Sequence, residues 1–176
     1  MNYGWQKNEL IKNNSAMKKW LNASGNLTAL LQTAGKHQFY LIHQAEEIIP
    51  QEERSLLVQQ ESSALVRHIM HTLDGKAAVC ARTVISSALY KTYKNTFDNL
   101  GTKPIGQAFL YQKNNILRSP FEYGFVQQES FLMQHFSIAK TADNLHARRS
   151  IFIIEQKTVC ITEIFLPIMK QYDYTK

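Results

Sequence analysis

The dipeptide Asp74-Gly75 lies between two runs of strand-forming residues, 64–73 (ALVRHIMHTL) and 76–86 (KAAVCARTVIS). A D-G step suits the left-handed backbone that a two-residue hairpin loop requires, so the runs are expected to pair antiparallel with Leu73 beside Lys76. Counting back from that pair sets Arg67 directly opposite Arg82. Like charges opposed on a sheet repel, and Val, Ile, Cys and Ala flank both arginines. Either a carboxylate lies between them, or the pair waits for an anion, which arginine binds bidentately.

A carboxylate of the required kind stands in the run 158–167, TVCITEIFLP. At strand period Val159, Ile161, Glu163 and Phe165 share one face. A charged Glu163 on that apolar face is costly unless it is paired. The bland reading is a structural ion pair or an edge strand open to water. The functional reading places Glu163, the arginines and a ligand in one pocket.

The first part of the chain reads as helical. SAMKKWL and NLTALLQTAG carry apolar residues at three- and four-residue spacing, with Ser15 and Asn26 as N-caps and Gly35 as a stop. HQFYLIHQA alternates as a strand does, and PQEERSLL suits a short helix start. SSALYKTYKNTFDNLG is expected as one helix, capped by Ser86 or Ser87 and stopped by Gly101. KPIGQAFLY is expected to be extended, and LRSPFEYGF to be a strand interrupted by Pro120. VQQESFLMQHF suits a short helix. RRSIFIIEQKTVCITEIFLP reads as two strands turning near Gln156-Lys157. Neighbouring strands joined by short turns pair antiparallel. The class is therefore α+β: a single antiparallel β-sheet with helices packed on it, in one domain spanning residues 1–176.

The 176 residues are 44% hydrophobic and 19% charged, enough for a real core. No apolar run is long enough to span a bilayer, and the polar N-terminus lacks a signal-peptide core, so a cytoplasmic protein is expected. Cys80 and Cys160 sit in apolar strands and read as free buried thiols. The net charge of +6 favours an anionic partner. The lysines are scattered and no nucleic-acid motif is present, so a small anion is expected and nucleic acid is not. The six histidines show no metal-ligand spacing along the chain. His68 and His71 should face opposite sides of their strand.

Taken in order, VRHIMHTLDGKAAVCARTVIS, LGTKPIG, RRSIFI and TEIFLP resemble the chorismate lyase family, also called chorismate–pyruvate lyase or 4-hydroxybenzoate synthetase. The likeness runs from about Trp20 to Pro167. It implies a single-domain antiparallel sheet with an internal site under helical flaps. It implies conversion of chorismate, a small dianion, to 4-hydroxybenzoate and pyruvate, an early step of ubiquinone biosynthesis, by a monomer without cofactor or metal. It also implies product inhibition. Carried over residue by residue, Arg67 binds the ring carboxylate, the Ile105 N–H meets the same group and Glu163 meets the ring hydroxyl. Arg82 belongs to the catalytic set, and a backbone contact from the first flap falls near Leu27. Ser86 and Ser87 replace a usual proline, His68 replaces a glutamate, and the stretch from Gly124 to Arg148 is longer than in compact members. The alternative is a non-catalytic effector-binding domain of the same fold.

Overall fold

The computed structural model describes residues 4–7, 16–112, 115–139 and 144–174. Among them, seven strands form one antiparallel sheet. They are β1 (His37–Ile48), β2 (Ser63–Leu73), β3 (Lys76–Ser86), β4 (Leu117–Arg118), β5 (Glu122–Val126), β6 (Leu145–Ile154) and β7 (Lys157–Phe165). The order is β1-β2-β3-β7-β6-β4, with β5 also paired to β6. The short helices are α1 (Ala16–Leu21), α2 (Leu27–Ala34), α3 (Gln51–Arg54), α4 (Ser87–Thr92), α5 (Lys94–Asp98) and α6 (Ile105–Ala108).

The D-G hairpin forms as its sequence requires. Asp74 and Gly75 take φ of 50° and 78°, and Leu73 pairs with Lys76. The register then departs from the simple count. Thr72 pairs with Ala77 but His71 pairs with Val79, so Ala78 is an extra residue in β3. Its carbonyl accepts from the Leu166 N–H at 2.9 Å. This bulge advances the rest of β3 by one position. Arg67 therefore lies opposite Thr83, and Arg82 opposite His68. Paired residues share a face and neighbours alternate, so the two arginines point to opposite sides of the sheet. The expected Arg67–Arg82 opposition does not occur.

A second positive-φ pair closes the β6–β7 hairpin. Glu155 and Gln156 take φ of 49° and 62°, and Ile154 pairs with Lys157. The turn is thus one residue earlier than the sequence suggested. LRSPFEYGF divides into β4 and β5 around Pro120, as expected. KPIGQAFLY is not extended: it forms α6 and a 3-10 turn at Leu110–Gln112. Pro104 supplies the fixed φ that precedes a helix start. The expected long helix after β3 breaks at Tyr93 into α4 and α5. Asn26 caps α2 by accepting from the Ala29 N–H, and Ser86 caps α4. The Ser15 cap lies outside the described residues.

Both sheet faces are covered. On one, Leu65, Ile85 and Val159 pack against Leu89, Phe97 and Phe109 of the α4–α6 region. At the other end of that face, Trp20, Leu27 and Leu31 of α1 and α2 pack on Val79 and Phe165. On the opposite face, Val66, Val84 and Cys160 pack on Ile49 and Leu57, and Cys80 and Ile164 on Leu132 and Met133. Each large apolar side chain buried this way contributes about 1.5–3 kcal/mol. Both cysteines are free and buried, and burial pushes their thiols up to about 12.

Candidate active site

A cavity of about 70 Å³ lies on the first face, between the two helical layers. Its floor is Ile69 and His71 of β2, Ala81 and Thr83 of β3, and Ile161 and Glu163 of β7. Asn26, Leu27 and Thr28 close it from the start of α2, and Pro104, Ile105, Gly106, Leu110 and Tyr111 from the opposite side. The structure thus brings Leu27, Ile105 and Glu163 together around one space. Tyr111 joins the two covers by donating to the Gly25 carbonyl at 3.4 Å. Gly106 allows this closeness, since a Cβ there would lie 2.8 Å from the Tyr111 ring.

Arg67 stands behind the Ile105 cover. Its guanidinium donates to Gln44 Oε1 at 2.5 Å, to the Gly101 carbonyl at 2.5 Å and to the Lys103 carbonyl at 3.1 Å. It is therefore fastened to the loop that carries Pro104 and Ile105. Burial lowers its pKa to about 10, so it stays charged at neutral pH. A guanidinium carries five N–H donors, which leaves capacity for a further oxygen.

The partner of Glu163 is neither Arg67 nor Arg82. The β6–β7 register sets Arg148 opposite Glu163, and Arg148 Nε donates to Glu163 Oε2 at 2.5 Å. Arg148 is fully buried. Its Nη1 donates to the carbonyls of Leu21 at 2.9 Å and Ala23 at 2.6 Å, gathering acceptors left over at the end of α1. Its Nη2 is buried with no partner. The guanidinium also lies 4.2 Å from the Phe121 ring centroid. Arg148 was named in the motif RRSIFI but given no role. The signal was the turn: a loop at Gln156-Lys157 would have set Glu163 against Ser150, whereas the true loop sets it against Arg148.

Arg82 does not join this group. On the far face its Nε and Nη2 grip the two Glu53 oxygens at 2.7 and 2.8 Å, and its Nη1 meets His68 Nε2 at 3.1 Å. The extra residue Ala78 in β3 is the reason. His68 and His71 face opposite sides, as expected. His71 is in the cavity wall, its Nδ1 2.8 Å from His37 Nε2. Burial, assisted by His37, lowers its pKa to about 3, so it is neutral there.

Comparison with known proteins gives this geometry a family. The sequence profile described as chorismate lyase matches residues 1–175. The chain belongs to the chorismate lyase family. Its relatives include a Burkholderia pseudomallei protein named "Probable chorismate pyruvate-lyase 1", 29% identical over 93% of this chain and 90% of its own. A Thiobacillus denitrificans protein named "Probable chorismate pyruvate-lyase" is 28% identical over 96% of this chain and 91% of its own. The fold extends beyond the chorismate lyase family. The C-terminal domain of a histidine utilization repressor from Pseudomonas syringae superposes with a TM-score of 0.56 at 11% identity, over 80% of this chain and 96% of that one. A GntR-family transcriptional regulator from Bacillus cereus gives 0.56 at 9% identity, over 81% and 98%. Among the described residues, no helix is long and apolar enough to cross a membrane.

Proposed function

We propose that this chain is a chorismate pyruvate-lyase, converting chorismate to 4-hydroxybenzoate and pyruvate without a cofactor, and that the cavity beneath α2 and α6 is its active site. The observation that carries this reading is the meeting of Glu163, Ile105 and Leu27 around one cavity on the sheet. The relatives named for the same activity support it. The product would enter ubiquinone synthesis at an early step.

In the reaction, the ring carbon bearing the hydroxyl loses its hydrogen. That electron pair completes the aromatic ring as the neighbouring carbon–oxygen bond breaks. Enolpyruvate leaves and tautomerises to pyruvate. Aromatisation drives the step, so the protein mainly orients and shields the substrate. Arg67 and the Ile105 N–H hold the ring carboxylate. Arg148 occupies Glu163 Oε2 and leaves Oε1 for the hydroxyl end of the ring, where it accepts the proton. We assign the enolpyruvyl carboxylate to Arg118, whose guanidinium lies 4.3 Å from the centroid of the same Phe121 ring that Arg148 packs on.

Ligand pockets commonly measure roughly 300–1,000 Å³. The present cavity, about 70 Å³, is smaller than that, so on this reading its covers part to admit a ring. The test is to mix purified protein with chorismate and no added metal. 4-Hydroxybenzoate is followed by chromatography, and pyruvate by a coupled assay. Equimolar products are expected. Glu163→Gln keeps an acceptor for Arg148 and should lower kcat by about 10²–10⁴-fold. Chorismate left intact by folded wild-type protein would instead indicate an effector-binding domain. An unchanged kcat in Glu163→Gln would move the proton to an internal transfer within chorismate.

A further inference from the structure

The opposite face of the sheet carries a polar cluster that the lyase reading does not use. Along the chain the histidines show no ligand spacing, but folding brings His43, Glu47 and His135 together. Their ligand atoms lie within 4.8 Å of one another. We propose that these three side chains form a binding site for a divalent transition-metal ion of the zinc class, clamping the 127–139 segment to the edge strand β1.

Three observations point to a cation. First, His43 Nε2 lies 2.6 Å and His135 Nε2 3.6 Å from the same oxygen, Glu47 Oε1. Ligands of a tetrahedral zinc at about 2.0–2.1 Å stand about 3.3 Å apart, a value these distances bracket. Second, the His43 and His135 rings are stacked, with centroids 4.0 Å apart and planes within 6°. Both rings thus lie against one carboxylate, and because their in-plane lone pairs run parallel, one ring must turn for both nitrogens to reach one ion. His135 Nε2 also lies 3.0 Å from the Gln134 side-chain nitrogen, a contact that the ion would replace. Third, the other Glu47 oxygen is already held, 3.7 Å from Arg82 Nη1. Glu53 takes Arg82 Nε and Nη2 and His68 meets Nη1, leaving Glu47 Oε1 to face the cation. An outer partner of this kind fixes the orientation of a liganding carboxylate.

Two imidazoles and one carboxylate suit zinc, with a fourth position for water, and disfavour magnesium or calcium, which take oxygen ligands. All three side chains are partly exposed, which gives an ion access. The site lies across the sheet from the cavity, so its fate and that of the lyase reading are independent.

The probe is Co²⁺ titrated into tag-free full-length protein, read by its visible d–d bands, with Zn²⁺ as competitor. One ion per chain is expected, displaced by zinc, together with a zinc-dependent rise in Tm. His43→Ala and His135→Ala should each weaken binding by more than the roughly 10–100-fold that a lost outer partner costs. His146→Ala, remote from the cluster, should bind as wild type does. His135 lies outside the strands, so its variant keeps the test open if His43→Ala fails to fold. Folded wild type that takes up neither ion at micromolar concentration would overturn the proposal. Binding that survives in the His135→Ala variant would overturn it equally.

Discussion

Burial sets the charge of individual side chains on both faces of this sheet, and for histidine it does so within an accessible pH range. His71 and His68 are both 4% exposed or less, and both are held neutral, with pKa values lowered to about 3. Desolvation is the main cause for each. His37 adds to it for His71, and Arg82, His135 and His43 for His68. In the unfolded chain a histidine takes up its proton near pH 6.5, whereas these two in the native state do not until about pH 3. Between those values the unfolded state binds more protons. Stability is therefore fully present above the unfolded pKa and is lost as pH falls through that window. Each histidine contributes a slope of up to about 1.4 kcal/mol per pH unit. Urea unfolding from pH 7 to pH 4 should show a falling midpoint, and His71→Gln should flatten the curve by close to one proton. An unchanged slope in that variant would show that His71 is not buried neutral.

At the level of elements, the closure of the cavity depends on Tyr111 lying against Gly106. A Cβ at position 106 meets the Tyr111 ring at 2.8 Å, so Gly106→Ala must displace the ring and break its bond to the Gly25 carbonyl. One such hydrogen bond is worth about 1 kcal/mol, which is about fivefold in an equilibrium between open and closed forms. The variant should weaken 4-hydroxybenzoate binding by about that factor, measured by calorimetry, with circular dichroism unchanged. Equal affinity would mean the covers close without this contact. The same elements show what the sequence could and could not convey. The D-G turn, both strands around it, the Asn26 cap and the antiparallel sheet were legible because each rests on local backbone preference or strand alternation. The resemblance named Leu27, Ile105 and Glu163, and the structure gathers them around one cavity. The position of Arg82 was not legible. One extra alanine in an apolar strand has no local signature, yet it turns every later side chain of β3 to the other face. Arg148 was hidden in the same way, by a Glu155-Gln156 turn made of residues that rarely take positive φ. The helical form of residues 105–112 was missed because an apolar segment this short reads equally well at either period.

Across the whole molecule, the sheet separates two chemistries. One face holds Glu163, Arg148 and Arg67 beneath short helices. The other holds Arg82, Glu53 and the histidine cluster beneath the 127–139 segment. A rigid sheet between them means that a ligand in the cavity should tighten one side alone. On the proposed reading, 4-hydroxybenzoate retains the carboxylate and the hydroxyl by which the site would hold chorismate. Such shared contacts bind product as well as substrate and do not aid the chemical step, so the product should inhibit. To enter, it must part covers that now leave only about 70 Å³, and once inside it replaces missing contacts with a ring between them. Local opening of these short helices is then suppressed by mass action. Hydrogen exchange followed with and without saturating 4-hydroxybenzoate should therefore slow in residues 26–34 and 101–112. It should stay the same in the β2–β3 hairpin, which is already protected by two neighbouring strands, and in residues 127–139 across the sheet. Protection appearing first in 127–139 would place the ligand on the wrong face and remove the cavity from the reaction.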